Sequence, residues 1–247
     1  MASGLGPRLL ITGGSGKLGR ELVRMWPDSL HPTHQKLDVN NLPSVLSLIR
    51  KSEPKVIIHC AALTNVRQCE LDRENAWQTN VVGTANLVKG IEEYAQNSMF
   101  IHISTACVFH GEKGDYVETD IPYPKNFYSY TKAEAESVVR FSSLKNWLII
   151  RTNFVARVRW PYKKAFTDRY GTYLFTDDVA GAIELLMSKG LCGIVHVCGE
   201  EKISMFELAK IMTPDIKPMT LADYTGPPLT MDMSLRSNRI GAFKLTR

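Results

Sequence analysis

The sequence predicts an α/β fold in which helices cover both faces of a parallel sheet, the doubly wound arrangement. Five short apolar runs are rich in β-branched residues and lack polar alternation, as expected of strands buried on both faces. They are residues 8–12, 55–61, 99–104, 147–151 and 193–197. A helical pattern ends at Trp26, and others cover residues 42–51, 73–95, 129–143 and 177–189. This alternation is typical of a doubly wound sheet.

Composition is typical of a globular protein, with 44% of the 247 residues hydrophobic and 22% charged. No apolar run approaches the roughly 20 residues that span a bilayer. Residues 1–7 form a short segment that lacks the pattern of a secretory leader. We therefore expect a cytoplasmic protein without membrane contact, in which the five scattered cysteines are reduced.

The net charge of +5 comes without a long basic block. Charge alone permits nucleic-acid binding, but a small phosphorylated ligand accounts for the same excess. A solvated basic surface accounts for it equally well. We expect a small-molecule partner and no nucleic acid.

The character of the chain changes after Val197. Ser204 and Glu207 have the spacing of a capping box, which predicts a helix that begins there and ends near Met212. Prolines at positions 214, 218, 227 and 228 then interrupt the chain. About 50 residues are too few for a separate core. We expect a main domain at residues 1–198 and a small lobe at residues 199–247, resting on the sheet edge.

A glycine-rich turn follows the first apolar run and opens the first helical pattern. Gly13, Gly16 and Gly19 have the spacing Gly-x-x-Gly-x-x-Gly, which differs by one residue from the dinucleotide fingerprint Gly-x-Gly-x-x-Gly. Such a turn lets the backbone approach a pyrophosphate, which then lies at the helix N-terminus. The position between strand and helix predicts a dinucleotide site.

The second strand is expected to end within residues 30–36, and this stretch bears on which dinucleotide binds. NAD sites place a carboxylate there for the adenosine ribose hydroxyls. The stretch contains no carboxylate and carries His31, Thr33, His34 and Lys36. These residues favour NADPH, or a site that accepts NADH as well. A solvated loop explains them nearly as well.

Tyr128 and Lys132 are four residues apart, about one helical turn, so both side chains project from one helix face. A lysine ammonium beside a phenol favours the phenolate and lowers the phenol pKa. The tyrosine can then donate a proton to a carbonyl oxygen as hydride reaches the carbon. Thr105, just after a predicted strand, is placed to hydrogen-bond that oxygen. Tyr130 lacks the four-residue spacing to a lysine.

These segments resemble the extended short-chain dehydrogenases/reductases over nearly the whole chain. Residues 12–19 resemble that family's Thr-Gly-x-x-Gly-x-x-Gly, residues 80–87 its Asn-x-x-Gly-Thr-x-Asn-Leu and residues 128–132 its Tyr-x-x-x-Lys. Asp38 and Val39 resemble its adenine-contacting pair, and residues 59–62 its cofactor-lining strand end. Four further segments look most like the dTDP-4-dehydrorhamnose reductase branch: residues 103–111, 151–155, 168–172 and 232–234.

The resemblance implies a Rossmann-type NAD(P)-binding domain at residues 1–198, a substrate-binding lobe at residues 199–247 and reduction of a nucleotide-linked 4-keto-6-deoxy sugar by NADPH. Thr105, Tyr128 and Lys132 would be catalytic, with Tyr128 as the proton donor. The residues implied at the cofactor are Gly13, Ser15, Gly16, Lys17, Leu18, Gly19, Asp38, Val39, Cys60, Ala61, Ala62, Asn80, Tyr128 and Lys132. Those implied at the substrate are Thr105, Ala106, Cys107, Asn153, Phe154 and Arg157. A homodimer that pairs through residues 73–95 and 129–143 is also implied, and no metal site is expected.

Two departures from the family's pattern concern the substrate. Ala106 and Cys107 replace the usual Asp-Tyr, lack the Asp-Glu pair of the 4,6-dehydratases and resemble nucleotide-sugar 4-epimerases. An epimerase with bound NAD is therefore one alternative. Residues 156–171 are shorter than in relatives and basic, and Trp160 and Tyr162 lie among the charges. Such a segment binds a diphosphate and stacks a base, or is a solvated loop with its aromatic side chains packed down. A non-catalytic regulatory protein, like the methionine adenosyltransferase β subunit, is the other alternative.

Overall fold

The computed structural model describes residues 8–246. The short segment at residues 1–7, where we expect no leader, lies outside the described residues. The elements follow one another as β1 (Leu9–Thr12), α1 (Lys17–Met25), α2 (Leu42–Ser52), β2 (Val56–His59), α3 (Val66–Leu71), α4 (Arg73–Trp77), α5 (Gly83–Tyr94), β3 (Met99–Thr105), α6 (Phe127–Arg140), β4 (Trp147–Thr152), β5 (Phe154–Val155), β6 (Lys164–Phe166), β7 (Tyr170–Gly171), β8 (Leu174–Phe175), α7 (Thr176–Ser188), β9 (Gly193–Val197), β10 (Ile203–Ser204), α8 (Met205–Met212), β11 (Lys217–Met219) and β12 (Asp232–Met233).

A parallel sheet of five strands in the order β1-β2-β3-β4-β9 forms the centre of the molecule. Successive side chains of a strand point to opposite faces. Leu9 and Ile11 accordingly enter one buried cluster with α1 and α7, and Leu10 enters a second cluster with α2 and α5. The predicted α/β fold class, with a parallel sheet covered on both faces, is confirmed.

The five apolar runs form these five strands, and the helical patterns form α1, α2, α5, α6 and α7 with ends shifted by a few residues. The stretch predicted as one helix at residues 73–95 contains α4, a π-helical turn at Gln78–Val82 and α5. π-helical turns are rare and frequently occur at functional sites. This one holds Asn80, a residue implied at the cofactor.

The expected second strand within residues 30–36 is wrong. Only Leu30 pairs with the sheet, through a single parallel bridge to Leu10. Pro32, two residues later, has no backbone N–H to donate. His31, Thr33 and His34 are exposed, so no apolar face holds the segment against the sheet.

The C-terminal residues pair with the shortened segment. β10 and β12 flank β7 in a three-stranded sheet, and β11 pairs with β6. The predicted capping box is confirmed at the start of α8, where Ser204 Oγ accepts a hydrogen bond from the Glu207 backbone N–H at 3.1 Å. The domain boundary at residue 198 stays a prediction. None of the helices between residues 8 and 246 is long and apolar enough to cross a membrane.

Candidate active site

The glycine turn after β1 packs against Cys60 and Ala61, which directly follow β2. Gly13 has φ +69°, a left-handed conformation that favours glycine. A Cβ on Gly13 would lie 2.6 Å from the backbone nitrogen of Ala61. The Gly16 backbone N–H closes the turn on the Gly13 carbonyl at 2.9 Å. Gly16 caps α1 without a side-chain hydrogen bond, so α1 begins with backbone N–H groups that no cap side chain satisfies.

A cavity of about 270 Å³ opens beside this turn. It is lined by residues expected at the cofactor, together with others that were not expected there. The expected ones are Gly13, Ser15, Gly16, Asp38, Val39, Cys60, Ala61 and Ala62. His34, one of the residues that favour NADPH, lines it as well, and the residues not expected there are Thr12, Pro32, Leu37, Leu63 and Thr79. Lys17 is exposed, while Leu18 and Gly19 are buried, and none of the three lines the cavity.

Asp38 and Val39 both line the cavity. The Asp38 carboxylate accepts a hydrogen bond from the Asn40 backbone N–H at 3.0 Å. The Val39 carbonyl accepts one from Asn86 of α5 at 2.8 Å. Gly83 lets α5 approach, since a Cβ there would lie 2.7 Å from Val39 Cγ2. The signal for Asn86 was present in the motif at residues 80–87, but its partner could not be predicted from it.

Asn80 is buried, and its side chain hydrogen-bonds to two other parts of the chain. Its Oδ1 accepts from the Leu63 backbone N–H at 2.7 Å, and its Nδ2 donates to the Leu63 carbonyl at 3.0 Å. Nδ2 also lies 2.9 Å from Thr131 Oγ1 on α6. Asn80 therefore fixes the loop after β2, which lines the cavity, against the helix that carries Tyr128 and Lys132.

Thr105 ends β3 and Tyr128 lies in the first turn of α6. The Thr105 hydroxyl accepts a hydrogen bond from the Cys107 backbone N–H at 3.1 Å. Tyr128 is half-buried. Burial raises the pKa of its phenol, the charge of Cys107 raises it further, and a hydrogen bond with Thr105 lowers it in part. Because parallel strands end at one edge of the sheet, Thr105 and the glycine turn lie at the same edge.

Lys132 is buried, with 3% of its surface exposed. Its ammonium donates to the Ile103 carbonyl at 2.8 Å and to His102 Nε2 at 3.3 Å. Since an ammonium only donates, His102 accepts through Nε2 and carries its proton on Nδ1, which has no partner among the described residues. Burial lowers the pKa of Lys132 to about 8, although the charge of Glu136 opposes this.

The expected lowering of the Tyr128 pKa by Lys132 is wrong for this structure. Burial dominates, and Lys132 is not among the described groups that shift the phenol. The four-residue spacing places both residues on α6, but the ammonium is directed at β3 through the Ile103 carbonyl. Spacing along a helix gives the shared face and not the direction of a long, flexible side chain.

The low pKa of Lys132 makes stability depend on pH. Between about 8 and the ordinary value of 10.5, the unfolded chain binds more protons at this residue than the folded chain. We expect the contribution of Lys132 to the free energy of unfolding to rise with pH across that window. Urea unfolding below and above pH 8 measures this contribution. Lys132→Met is expected to remove the rise in the free energy of unfolding with pH, whereas Lys145→Met, at an exposed residue, should keep it. An unchanged slope in Lys132→Met contradicts the assignment.

The substrate-side residues lie around Met233 of β12. Cys107 Sγ lies 3.2 Å from Met233 Sδ, and Asn153 Nδ2 donates to the Met233 carbonyl at 2.8 Å. Ala106 is fully buried, and Phe154 packs partly into the central core. The structure thus brings Ala106, Cys107 and Asn153 to the contact between the sheet edge and the C-terminal strands.

The basic segment is largely engaged with the protein itself. Arg157 Nε lies 2.8 Å from an Asp177 carboxylate oxygen, and its guanidinium stacks over the Phe175 ring at 3.9 Å. Trp160 is buried in a small cluster with Ala165, and its indole donates to the Lys164 carbonyl at 3.2 Å. Tyr162 remains exposed. For Trp160 the structure shows the packed-down alternative, and Arg157 is already neutralised by a carboxylate.

Replacing Gly13 by alanine is expected to weaken binding of the predicted cofactor. The new Cβ would meet the Ala61 nitrogen at 2.6 Å, in a backbone conformation that costs alanine about 1–2 kcal/mol. We expect the free energy of unfolding to fall by at least that amount and NADPH affinity to fall with it. Urea unfolding and calorimetric titration measure the two. Gly181→Ala in α7, where nothing lies within 4 Å, should raise stability by about 0.5–1 kcal/mol. Wild-type affinity in Gly13→Ala contradicts the role of the turn.

The chain matches known proteins over most of its length. The family model for the RmlD substrate binding domain matches residues 7–224. A dTDP-4-dehydrorhamnose reductase of Aggregatibacter actinomycetemcomitans is 32% identical and aligns with 88% of this chain and 86% of its own. The methionine adenosyltransferase 2 subunit beta of Rattus norvegicus is 29% identical, over 82% of this chain and 70% of its own.

A similar solved structure is the dTDP-4-dehydrorhamnose reductase of Bacillus anthracis in complex with NADP. It superposes with a TM-score of 0.86 at 24% identity and covers 96% of this chain and 94% of its own. At that identity the likeness concerns the fold. The family match spans most of the chain and agrees with the glycine turn, the cavity beside it and the Tyr128–Lys132 helix. The chain belongs to the RmlD substrate-binding domain family of extended short-chain dehydrogenases/reductases.

Proposed function

We propose that the protein is an NADPH-dependent reductase of a nucleotide-linked 4-keto-6-deoxy sugar. The observation that carries the proposal is that α6, with Tyr128 in its first turn, packs against β3 and the residues just after it, at the sheet edge that also holds the glycine turn. The relative from Aggregatibacter is a reductase of this kind, and the Bacillus neighbour was crystallised with NADP. Both support the proposal.

The residues around the cavity fit a dinucleotide. Gly13 and Gly16 expose backbone without side chains, and α1 offers unsatisfied N–H groups to a pyrophosphate. Asp38 and Val39 are suited to hold an adenine. His34, which lines the cavity, is the side chain best placed to meet a 2′-phosphate, and NADH remains an alternative. When bound, the nicotinamide supplies hydride to the keto carbon.

In the proposed reaction the chain's own residues hold the carbonyl and move one proton. Thr105 donates a hydrogen bond to the keto oxygen, and Tyr128 donates the proton that this oxygen takes up. The raised pKa of Tyr128 keeps the phenol protonated, so the proton is in place, but it also makes the phenol a weaker acid than an ordinary tyrosine. Lys132 holds a positive charge next to β3 at pH values under about 8, because its pKa is lowered to that value by burial.

Measuring NADPH oxidation tests the proposal. Purified protein is mixed with NADPH and either dTDP-4-keto-6-deoxyglucose or dTDP-4-dehydrorhamnose, and absorbance of the reduced cofactor is followed. A reductase is expected to oxidise NADPH only when the keto sugar is present. An epimerase would purify with tightly held NAD and interconvert sugars without net consumption of NADPH. Bound NAD after purification, with no consumption of added NADPH, would falsify the reductase proposal.

A regulatory subunit is the second candidate, favoured by the similarity to the methionine adenosyltransferase 2 subunit beta. Under that alternative the fold binds a partner enzyme and turns over no keto sugar. Co-purification of a stoichiometric enzyme partner, together with absence of sugar-dependent NADPH oxidation, would support it. The presence of Thr105, Tyr128 and Lys132 favours the reductase.

We also propose a cytoplasmic homodimer that pairs through α5 and α6. The five cysteines of the described chain are free thiols, as a reducing compartment requires. Tyr94 and Phe141, at the C-terminal ends of α5 and α6, are large apolar side chains exposed to solvent. Light scattering of the wild type and of Phe141→Glu gives the mass: a dimer that the substitution dissociates supports the arrangement, and a wild-type monomer contradicts it.

A further inference from the structure

Arg169, just before β7, has an unusual set of neighbours. It is half-buried, and its Nε donates to the Thr230 carbonyl at 2.9 Å. The two terminal nitrogens face sulfur atoms. Nη2 lies 3.2 Å from Met233 Sδ and 4.0 Å from Cys107 Sγ, and Nη1 lies 3.9 Å from Met205 Sδ.

These contacts leave the guanidinium charge without a counter-charge. Thioether and thiol sulfurs are weak acceptors, whereas a guanidinium has five strongly polar N–H donors. Arg151 and Arg157 each contact a carboxylate, but no ion pair within residues 8–246 involves Arg169. A half-buried cation is costly unless it is paired. The terminal nitrogens are therefore suited to an external anion.

The position of Arg169 connects it to the reaction site. Cys107, which its Nη2 faces, donates its backbone N–H to Thr105 Oγ1 at 3.1 Å. Cys107, Met205 and Tyr173 pack in one cluster with Met233. Tyr173 buries a hydroxyl that has no partner among the described residues. The arginine thus faces the substrate side of the site, next to the residue pair that would hold the keto group.

We propose that Arg169 binds the diphosphate of the substrate. The proposal rests on the reductase function and names the group that recognises its anionic portion. A guanidinium offers two parallel donors that match two phosphate oxygens, and the surrounding sulfur and apolar atoms exclude water and strengthen the pair. This assigns the anion site to Arg169, near the C-terminal end of the shortened segment, and not to Arg157. Within that segment Arg157 already contacts Asp177 and Trp160 is packed down.

Calorimetric titration of inorganic pyrophosphate and of dTDP tests the site. Saturating NADPH is present throughout, so that the glycine turn is occupied and does not bind the probes. Arg169→Met is expected to weaken both probes by about 10- to 100-fold, because hydrogen bonds to a charged group are lost. Arg169→Lys keeps the positive charge but lacks the pair of parallel N–H donors. Its affinity for both probes should therefore lie between those of the wild type and Arg169→Met. Arg159→Gln, an exposed arginine of the basic segment, should bind both as the wild type does.

The two probes separate the two sources of a diphosphate. Tighter binding of dTDP than of pyrophosphate identifies a nucleoside diphosphate, and equal binding identifies recognition of the diphosphate alone. The proposal is overturned if Arg169→Met binds both probes as the wild type does, or if Arg159→Gln weakens them as much. Should Arg169→Met fail to fold, the same comparison is made with Arg169→Lys. A wild type that binds the probes but oxidises no NADPH contradicts the reductase function and leaves the Arg169 site standing.

Discussion

Replacing Tyr128 by phenylalanine is expected to lower kcat by about 100- to 10,000-fold, the usual contribution of a positioned proton donor. The change removes one hydroxyl and keeps the ring, which is half-buried in the first turn of α6. NADPH affinity should therefore stay close to that of the wild type. Steady-state kinetics with a keto sugar and calorimetric titration of NADPH measure the two effects.

Tyr130 provides a matched control for Tyr128. It lies on the same helix two residues later, is 41% exposed and packs against Trp77 and Phe127. Tyr130→Phe removes a hydroxyl of the same kind at a distance from Thr105, so kcat should not change. Undiminished turnover in Tyr128→Phe, or an equal loss in Tyr130→Phe, contradicts the assignment of the proton donor.

Replacing Glu136 by glutamine is expected to lower the free energy of unfolding by about 3–5 kcal/mol, the usual effect of breaking a buried ion pair. Glu136 and Arg151 are each 1% exposed, with Arg151 Nη2 2.7 Å from Glu136 Oε2. Ser104 Oγ also donates to Glu136 at 2.5 Å. Removing the carboxylate charge leaves the guanidinium buried and uncompensated.

Urea unfolding measures the effect, and Glu134→Gln on the same helix is the control. Glu134 is only partly buried, and a substitution there should change stability by no more than about 0.5 kcal/mol. A loss of less than about 1 kcal/mol in Glu136→Gln would show that the pair is not a major source of stability. Because Glu136 raises the pKa of Lys132, Glu136→Gln should also lower that pKa further from about 8.

The fold could be predicted because its signals are local. Runs such as residues 55–61 have an apolar centre at residues 56–58 and no polar alternation, as expected of a strand with both faces buried. The capping box of Ser204 and Glu207 is likewise complete within four residues. The prediction of a second strand within residues 30–36 was wrong because this segment has no such local signal. Only Leu30 meets the sheet, and a single bridge leaves no periodic pattern in the sequence.

In the candidate site, too, the residues with a local signal could be predicted and the contacts between distant parts of the chain could not. Gly13 and Gly16 could be predicted, because a tight turn between a strand and a helix has a local signature. The direction of the Lys132 ammonium toward the Ile103 carbonyl could not, since it depends on the distance between α6 and β3. The surroundings of Arg169 could not be predicted either, although it lies in the segment at residues 168–172 that resembles the reductase branch. Its neighbours Cys107 and Met233 are separated from it by about sixty residues in each direction.

The most direct test of the reductase account is the fate of the transferred hydrogen. NADPH carrying deuterium at the reactive position of the nicotinamide is incubated with the protein and the dTDP-linked 4-keto-6-deoxy sugar, and the product is examined by mass spectrometry and NMR. A reductase is expected to leave one deuterium on the former keto carbon, in a product that forms in step with NADPH oxidation. A converted sugar without deuterium, or no conversion by protein that binds NADPH, would contradict it.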